Sequence, residues 1–517
     1  MSMPRLNIAL SGEAIPAIAG RTDLLIGTLP ADNPNVNKEL DNVQGLDEAT
    51  LNAMFGERSD LRHRIRNWMR VNKSRSRLDV KAYPEESTAV ASEGKVTLSG
   101  TATGKGRLYV AVVDERQFFA NIDVEVGETA NDVATKIMNA FATTIFPTIP
   151  VTASLDSDDA KFTTVDKGSL GNYYGIKVVG VVAGLTIGVE AFAGGLNDPT
   201  FTTAFIPDIR FTGVGFPQIF EGTIDLIGAF MDERFNSDNK IMDGSVFIGI
   251  SKNFSDFKAF VDGINRRSVK VIGNRLVPSP NPNPFAIQSG ASILTPVDWS
   301  VAEFMGIRSL RMTPDAPISD YVFANNLDAF GGAELASLPY FNTPMRLTAV
   351  TKANMLFNET EKLMLEESGG TVIDVNVAEN GMLMGSVVST YKTNEMGIPD
   401  STWKYLNYID TGSVCREYIF NNMKSDLAQS RLTEGDLVPN RNIHNAGSIE
   451  ALFMRYYSEL AGVLYQDGAE IVSDVADGVT VELDLAKRLV TLIATVPIVT
   501  QIGQVNMLIT QKFTVLG

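Results

Sequence analysis

Between Thr223 and Ile272 helical and strand patterns alternate, and that alternation limits the fold more than any other feature of the sequence. A helical stretch near Thr223–Arg234 precedes the strand-like run Ser245–Ile250, and another near Phe254–Ile264 precedes Ser268–Ile272. Strands separated by whole helices do not form hairpins; they pair in parallel, with helices covering the sheet. The fold class expected is α/β, becoming mixed α+β once the rest of the chain is counted. At 517 residues the chain exceeds one ordinary domain, and two to four are expected.

A block of different texture interrupts this pattern. From about Glu93 the runs Lys95–Ser99, Arg107–Val113 and Phe162–Val165 read as strands, with turns at glycines 100, 104 and 106. Thr129 with Asp132 forms a capping box ahead of a helix whose buried side carries Val133, Ile137 and Phe141. Val178–Val189 is about a dozen residues long where a membrane span needs ~20, so it reads as a hairpin turning near Ala183-Gly184. Residues 93–199, closing on Gly194-Gly195, are expected to form an inserted β-rich outer domain. Around it stand an N-terminal arm (1–35), a first core segment (36–92), the α/β core (200–430), a C-terminal domain (431–503) and a C-terminal strand arm (504–517).

Both ends alternate with period two. Leu6, Ile8 and Leu10 alternate with Arg5, Asn7 and Ala9; Val505, Met507, Ile509 and Phe513 share one face near the other end. Strands with so little apolar surface need another sheet to join. From Ser59 to Asn72 the pattern is helical, with Leu61, Ile65, Trp68 and Met69 on one face and Arg62, Arg66, Arg70 and Lys73 on another. Between Glu57 and Lys81 nine basic residues stand against three acidic, so this face reads either as a solvated surface or as a docking surface for an acidic neighbour.

Chemistry is scarce. The formal charge of −17, with 61 carboxylates against 44 Lys and Arg, argues against a nucleic-acid binder. His63 and His444 are the only histidines, and no G-x-S-x-G elbow, H-E-x-x-H or cysteine pair occurs. Positive charge around His63 disfavours the imidazolium that a general base must become. Gly100-Thr-Ala-Thr-Gly-Lys-Gly106 approaches a phosphate loop but lacks one spacer residue and the terminal Ser or Thr, so it reads as a hairpin connection. Asp156-Ser-Asp-Asp159 reads as solvated loop. Cys415, the single cysteine, cannot form an internal disulfide and sits in a helical context that suits a small packed hydrophobe. No catalytic residue, metal site or cofactor is expected, and an α/β hydrolase is disfavoured.

Three stretches resemble, in order, the tail sheath proteins of contractile-tailed bacteriophages, especially the Mu-like branch. They are Val388-Ser-Thr-Tyr-Lys-Thr-Asn394 with Gly397-Ile-Pro-Asp400 and Tyr405-Leu-Asn407; Leu437-Val-Pro439 through Ile449–Leu460 to Ala461–Leu464; and Arg488–Ala494 through Val505 to Gln511-Lys-Phe513. The resemblance covers most of the chain and is thin over about 280–370. It implies a non-enzymatic structural subunit of the virion, assembled in the host bacterial cytoplasm. Such subunits polymerise with themselves as stacked six-fold (hexameric) rings around a tail tube protein, bounded by baseplate and tail terminator proteins. The arms add strands to neighbouring sheets, and contraction drives the tube through the host envelope, without nucleic-acid binding or direct membrane insertion. A phage-derived contractile injection particle is the related alternative.

Overall fold

The structure, a computed structural model, describes residues 5–11, 22–73, 75–235, 242–277, 286–312, 340–341, 343–345, 356–376, 381–427, 430–435, 437, 442–460, 469–486 and 489–496. The C-terminal arm (Val505, Met507, Ile509, Phe513) and the proline tract 278–284 lie outside them.

The body is a mixed α/β unit built on six parallel strands. Their order is Arg77–Pro84, Thr22–Leu29, Gly213–Phe216, Ser245–Lys252, Val269–Val277 and Gly370–Asn376. Successive side chains of a strand point to opposite faces, and the cores divide accordingly. Leu25, Phe247, Ile272 and Ile373 face one core; Leu24, Ile26, Val246, Ile248, Val271 and Val372 face the other. The first core is roofed by the arginine-rich helix Asp60–Asn72 and by the helix Val297–Arg311. The second is covered by the helices Ile224–Phe235, Phe254–Asp262 and Glu359–Ser368. Both helices of the first roof approach closely because residue 306 is glycine: a Cβ there would lie 2.7 Å from the Trp68 carbonyl oxygen.

Three expectations need correction. Thr22–Leu29, counted with the N-terminal arm, is a fully buried central strand, as its apolar run Leu24-Leu25-Ile26 suits. The segments around Gly100–Gly106 and Ala183-Gly184 turn, but neither closes a hairpin. Gly106–Val112 and Ile176–Val179 pair with each other, whereas Ala91–Gly100 and Leu185–Ala193 pair in a separate four-stranded sheet. The two turns are where the chain crosses between the insertion's sheets.

The insertion has its own core, from Val96 to Phe192, and the capping box at Thr129 and Asp132 forms as read, with Val133, Ile137 and Phe141 buried. It is nevertheless continuous with the body. The strand Ala286–Ala291 pairs with Ile176–Val179 of the insertion and, through Gly290 and Ala291, with the body strand Val269–Val277. One hydrogen-bonded sheet therefore runs from body into insertion.

Candidate functional site

The N-terminal strand Arg5–Ser11 lies antiparallel to Leu489–Thr495, which pairs on its other side with Thr480–Asp484. Residues from opposite ends of the chain thus share a three-stranded sheet. Leu6, Ile8 and Leu10 stand in register with Ala494, Leu492 and Val490, the three residues of the hairpin strand that are buried. The alternation read from sequence matches that of the strand it joins, position for position. Beneath the hairpin lie Cys415, Ile419, Phe420 and Met423 of the helix Leu406–Leu427, with Phe453, Tyr456 and Tyr457 of the helix Ala446–Leu460. Cys415 is fully buried there, as a packed small hydrophobe.

The helix Leu406–Leu427 connects this sheet to the body. Its last turns belong to the C-terminal core, while Leu406 belongs to the body's core, so the boundary near 430 falls after a helix that serves both units. Its first turns are fixed by buried charge. Asp410 receives Arg308 at 2.8 and 2.5 Å and the Tyr340 hydroxyl at 2.7 Å. Arg210 donates to Ser413 and Glu417 at 3.0 and 3.1 Å, and Asp243 lies 3.2 Å from Arg210 and 2.9 Å from Arg416. Burial alone would raise the Asp243 carboxyl, but Arg416 and Arg210 outweigh it and hold it below the usual carboxylate range. Sequence reasoning missed these residues; the only signal was charge inside otherwise apolar helical stretches, such as Arg308 after Phe304-Met305.

A second joint holds the insertion. The Arg58 side chain donates to the carbonyls of Ile149 and Val151 at 2.8 and 2.5 Å, and the Asp60 amide donates to Asp166 at 2.6 Å. The Trp299 indole donates to Asp60 at 2.6 Å, and Trp299 itself lies in the insertion's core. His63 stacks on Trp299 with ring centroids 4.2 Å apart, and its Nε2 lies 2.8 Å from the Thr148 carbonyl. Burial, and then the Arg62 charge, hold the His63 ring at about 3, so it stays neutral at physiological pH. His444, half-buried, lies 3.3 Å from the Ser448 hydroxyl.

The arginine-rich helix is not uniformly a surface. Leu61, Ile65 and Trp68 are buried as read, each such burial being worth about 1.5–3 kcal/mol. Arg62, however, is only 2 % exposed and pairs with Glu48 at 2.5 Å, so it is removed from the proposed docking face. Arg64, which the periodicity placed on neither face, is fully buried and donates to the carbonyls of Ile26 and Gly215. Arg66 is part-exposed beside Glu48 at 3.0 Å, and Arg70 and Lys73 are exposed. Asp156 and Asp159 close a hairpin, with Asp156 paired to Lys95 at 2.5 Å. Among the described residues no group of three or more His, Cys, Asp or Glu is placed to hold a metal ion, and no helix is long and apolar enough to cross a membrane.

No family model matches the chain, and no curated protein matches it. Among solved structures it is similar to the sheath tail protein Lin1278 from Listeria innocua, at 11% sequence identity, covering 94% of this chain and 93% of that one, with a TM-score of 0.43.

Proposed function

We propose that the chain is a structural subunit of a contractile tail sheath, working by polymerisation around a tube and not by catalysis. The observation that carries this reading is the pairing of Arg5–Ser11 with Leu489–Thr495. A two-stranded hairpin is marginal alone, and here the third strand comes from the far end of the chain. The same register can be filled by a neighbour's N-terminal strand, which converts a closed monomer into a linked array by backbone pairing at about 1 kcal/mol per hydrogen bond, repeated around a ring. The body supports the mechanical role: the buried ion pairs on the helix Leu406–Leu427 let body and C-terminal sheet transmit a rotation as one piece. His63, buried and neutral, stacks on Trp299, and the Ser448 hydroxyl donates to the Asn445 carbonyl at the start of its helix; both suit a structural reading better than a hydrolase.

Negative-stain microscopy of the purified chain tests the proposal. Rings or tubes are the expected result; a protein that stays monomeric at every concentration tried refutes it.

A further inference from the structure

Two exposed helix faces on opposite sides of the central sheet match each other in spacing and oppose each other in charge. The helix Glu359–Ser368 buries Leu365 against Phe257 in one core and turns Glu359, Leu363, Met364 and Glu367 outward. Leu363 is 61% and Met364 39% exposed, an unusual cost on a helix that otherwise displays carboxylates. The helix Asp60–Asn72 packs on the other core and shows solvent Arg66 and Arg70, with Lys73 at its C-cap and Met69, partly buried against the core, at the edge of the cations. Both stripes recur at three- and four-residue spacing, the geometry of helix faces that pack together.

From this charge complementarity we infer that the acidic, apolar stripe of one copy docks on the cationic stripe of another, Leu363 and Met364 meeting Met69 while Glu359 and Glu367 meet Arg66, Arg70 and Lys73. The two faces lie on opposite sides of one sheet, so a single molecule cannot bring its own pair together. A contact of this kind is heterologous, and heterologous contacts generate rings or helical filaments and not closed two-fold dimers. The inference rests on the sheath reading for its purpose, and it names the partner that the cationic helix receives: the chain's own body, ahead of a tube protein.

The test is a mixed cross-link. Arg70→Cys and Leu363→Cys lie at exposed positions, and the native Cys415 is buried. Under mild oxidation the mixture should give a disulfide-linked dimer in clear excess over either variant alone. In parallel, Arg70→Glu and Glu367→Lys should each weaken self-association in sedimentation velocity by about ten-fold, more strongly at low salt, and the double variant should recover it. No excess dimer in the mixture, or a double variant no better than the singles, overturns the pairing whatever the wild-type chain forms. Cross-linking with rescue, but no rings or tubes from the wild type, keeps the pairing and overturns the sheath reading.

Discussion

Arg308 and Asp410 form a buried ion pair at the helix that joins body to C-terminal sheet. Both are buried, so removing one partner leaves an uncompensated charge out of water. Arg308→Ala should cost about 3–5 kcal/mol and free the C-terminal unit first, seen as early protease cleavage near residue 406. Arg308→Met with Asp410→Leu should be far milder, because it removes both charges and keeps volume; thermal unfolding of the two variants side by side checks this. A second residue-scale prediction concerns pH. Burial raises Asp298 to about 7 and Asp23 to about 6 from an ordinary 3.8. Their folded forms hold the proton more tightly than the unfolded chain does, so this stability is complete below the unfolded value and is lost as pH rises through 6–7. Asp243 has the opposite sign: its contribution is present above 3.8 and lost as pH falls below it. Together Asp298 and Asp23 should place the highest melting temperature at about pH 4, with a decline up to about pH 7 that the buried His63, held below its unfolded value, partly offsets. Asp298→Asn should flatten the decline, by on the order of 2–4 kcal/mol between the extremes. A melting curve equally steep in the variant would contradict the assignment.

Elements were legible where one periodicity dominated. The alternating helices and strands from Thr223 to Ile272 gave the parallel body, the capping box at Thr129 gave its helix, and Leu6, Ile8 and Leu10 gave the terminal strand with its register face. What sequence could not supply was pairing between distant strands. Gly100 and Gly184 mark turns equally well whether the chain returns along the same sheet or crosses to another, and Ala286–Ala291 carries no mark of joining two units. Arg62 was misread, and Arg64 passed over, for a related reason: an arginine on a helix is taken as solvated unless its carbonyl or carboxylate partners, 14 to 151 residues away, are in view. This continuity alters what removing the insertion should do. Replacing residues 93–199 with a short linker would strip the cover from fully buried Trp299 and leave Ile176's partner strand as an open edge. The deletion should aggregate in size-exclusion chromatography unless Trp299 and Ile287 are also made polar. A monodisperse deletion without those changes would mean that the insertion is the independent module its sequence suggested.

At the scale of the whole molecule, the sheath proposal turns on which copy supplies the strand at residues 5–11. One edge of Leu489–Thr495 can host only one strand, so a chain that closes on itself and a chain that links to a neighbour are exclusive states sharing one register. On that proposal their backbone hydrogen bonds are the same, so the choice falls to what exchange adds elsewhere. Removing residues 1–11 should leave a folded, soluble subunit that forms no tubes, but that loss alone does not tell closure from exchange. A disulfide does. Asn7 stands directly opposite Ile493, which is 36% exposed, so Asn7→Cys with Ile493→Cys places two thiols across the pair at a position that can be oxidised. Oxidised as a dilute monomer, this variant should be locked closed, run as a single chain on a non-reducing gel, and fail to form tubes until reduced. Assembled first and oxidised afterwards, it should run as a ladder of linked chains. Tubes whose oxidised subunits run only as single chains would mean that the strand stays home in the polymer, and that the copies are held together by their bodies instead.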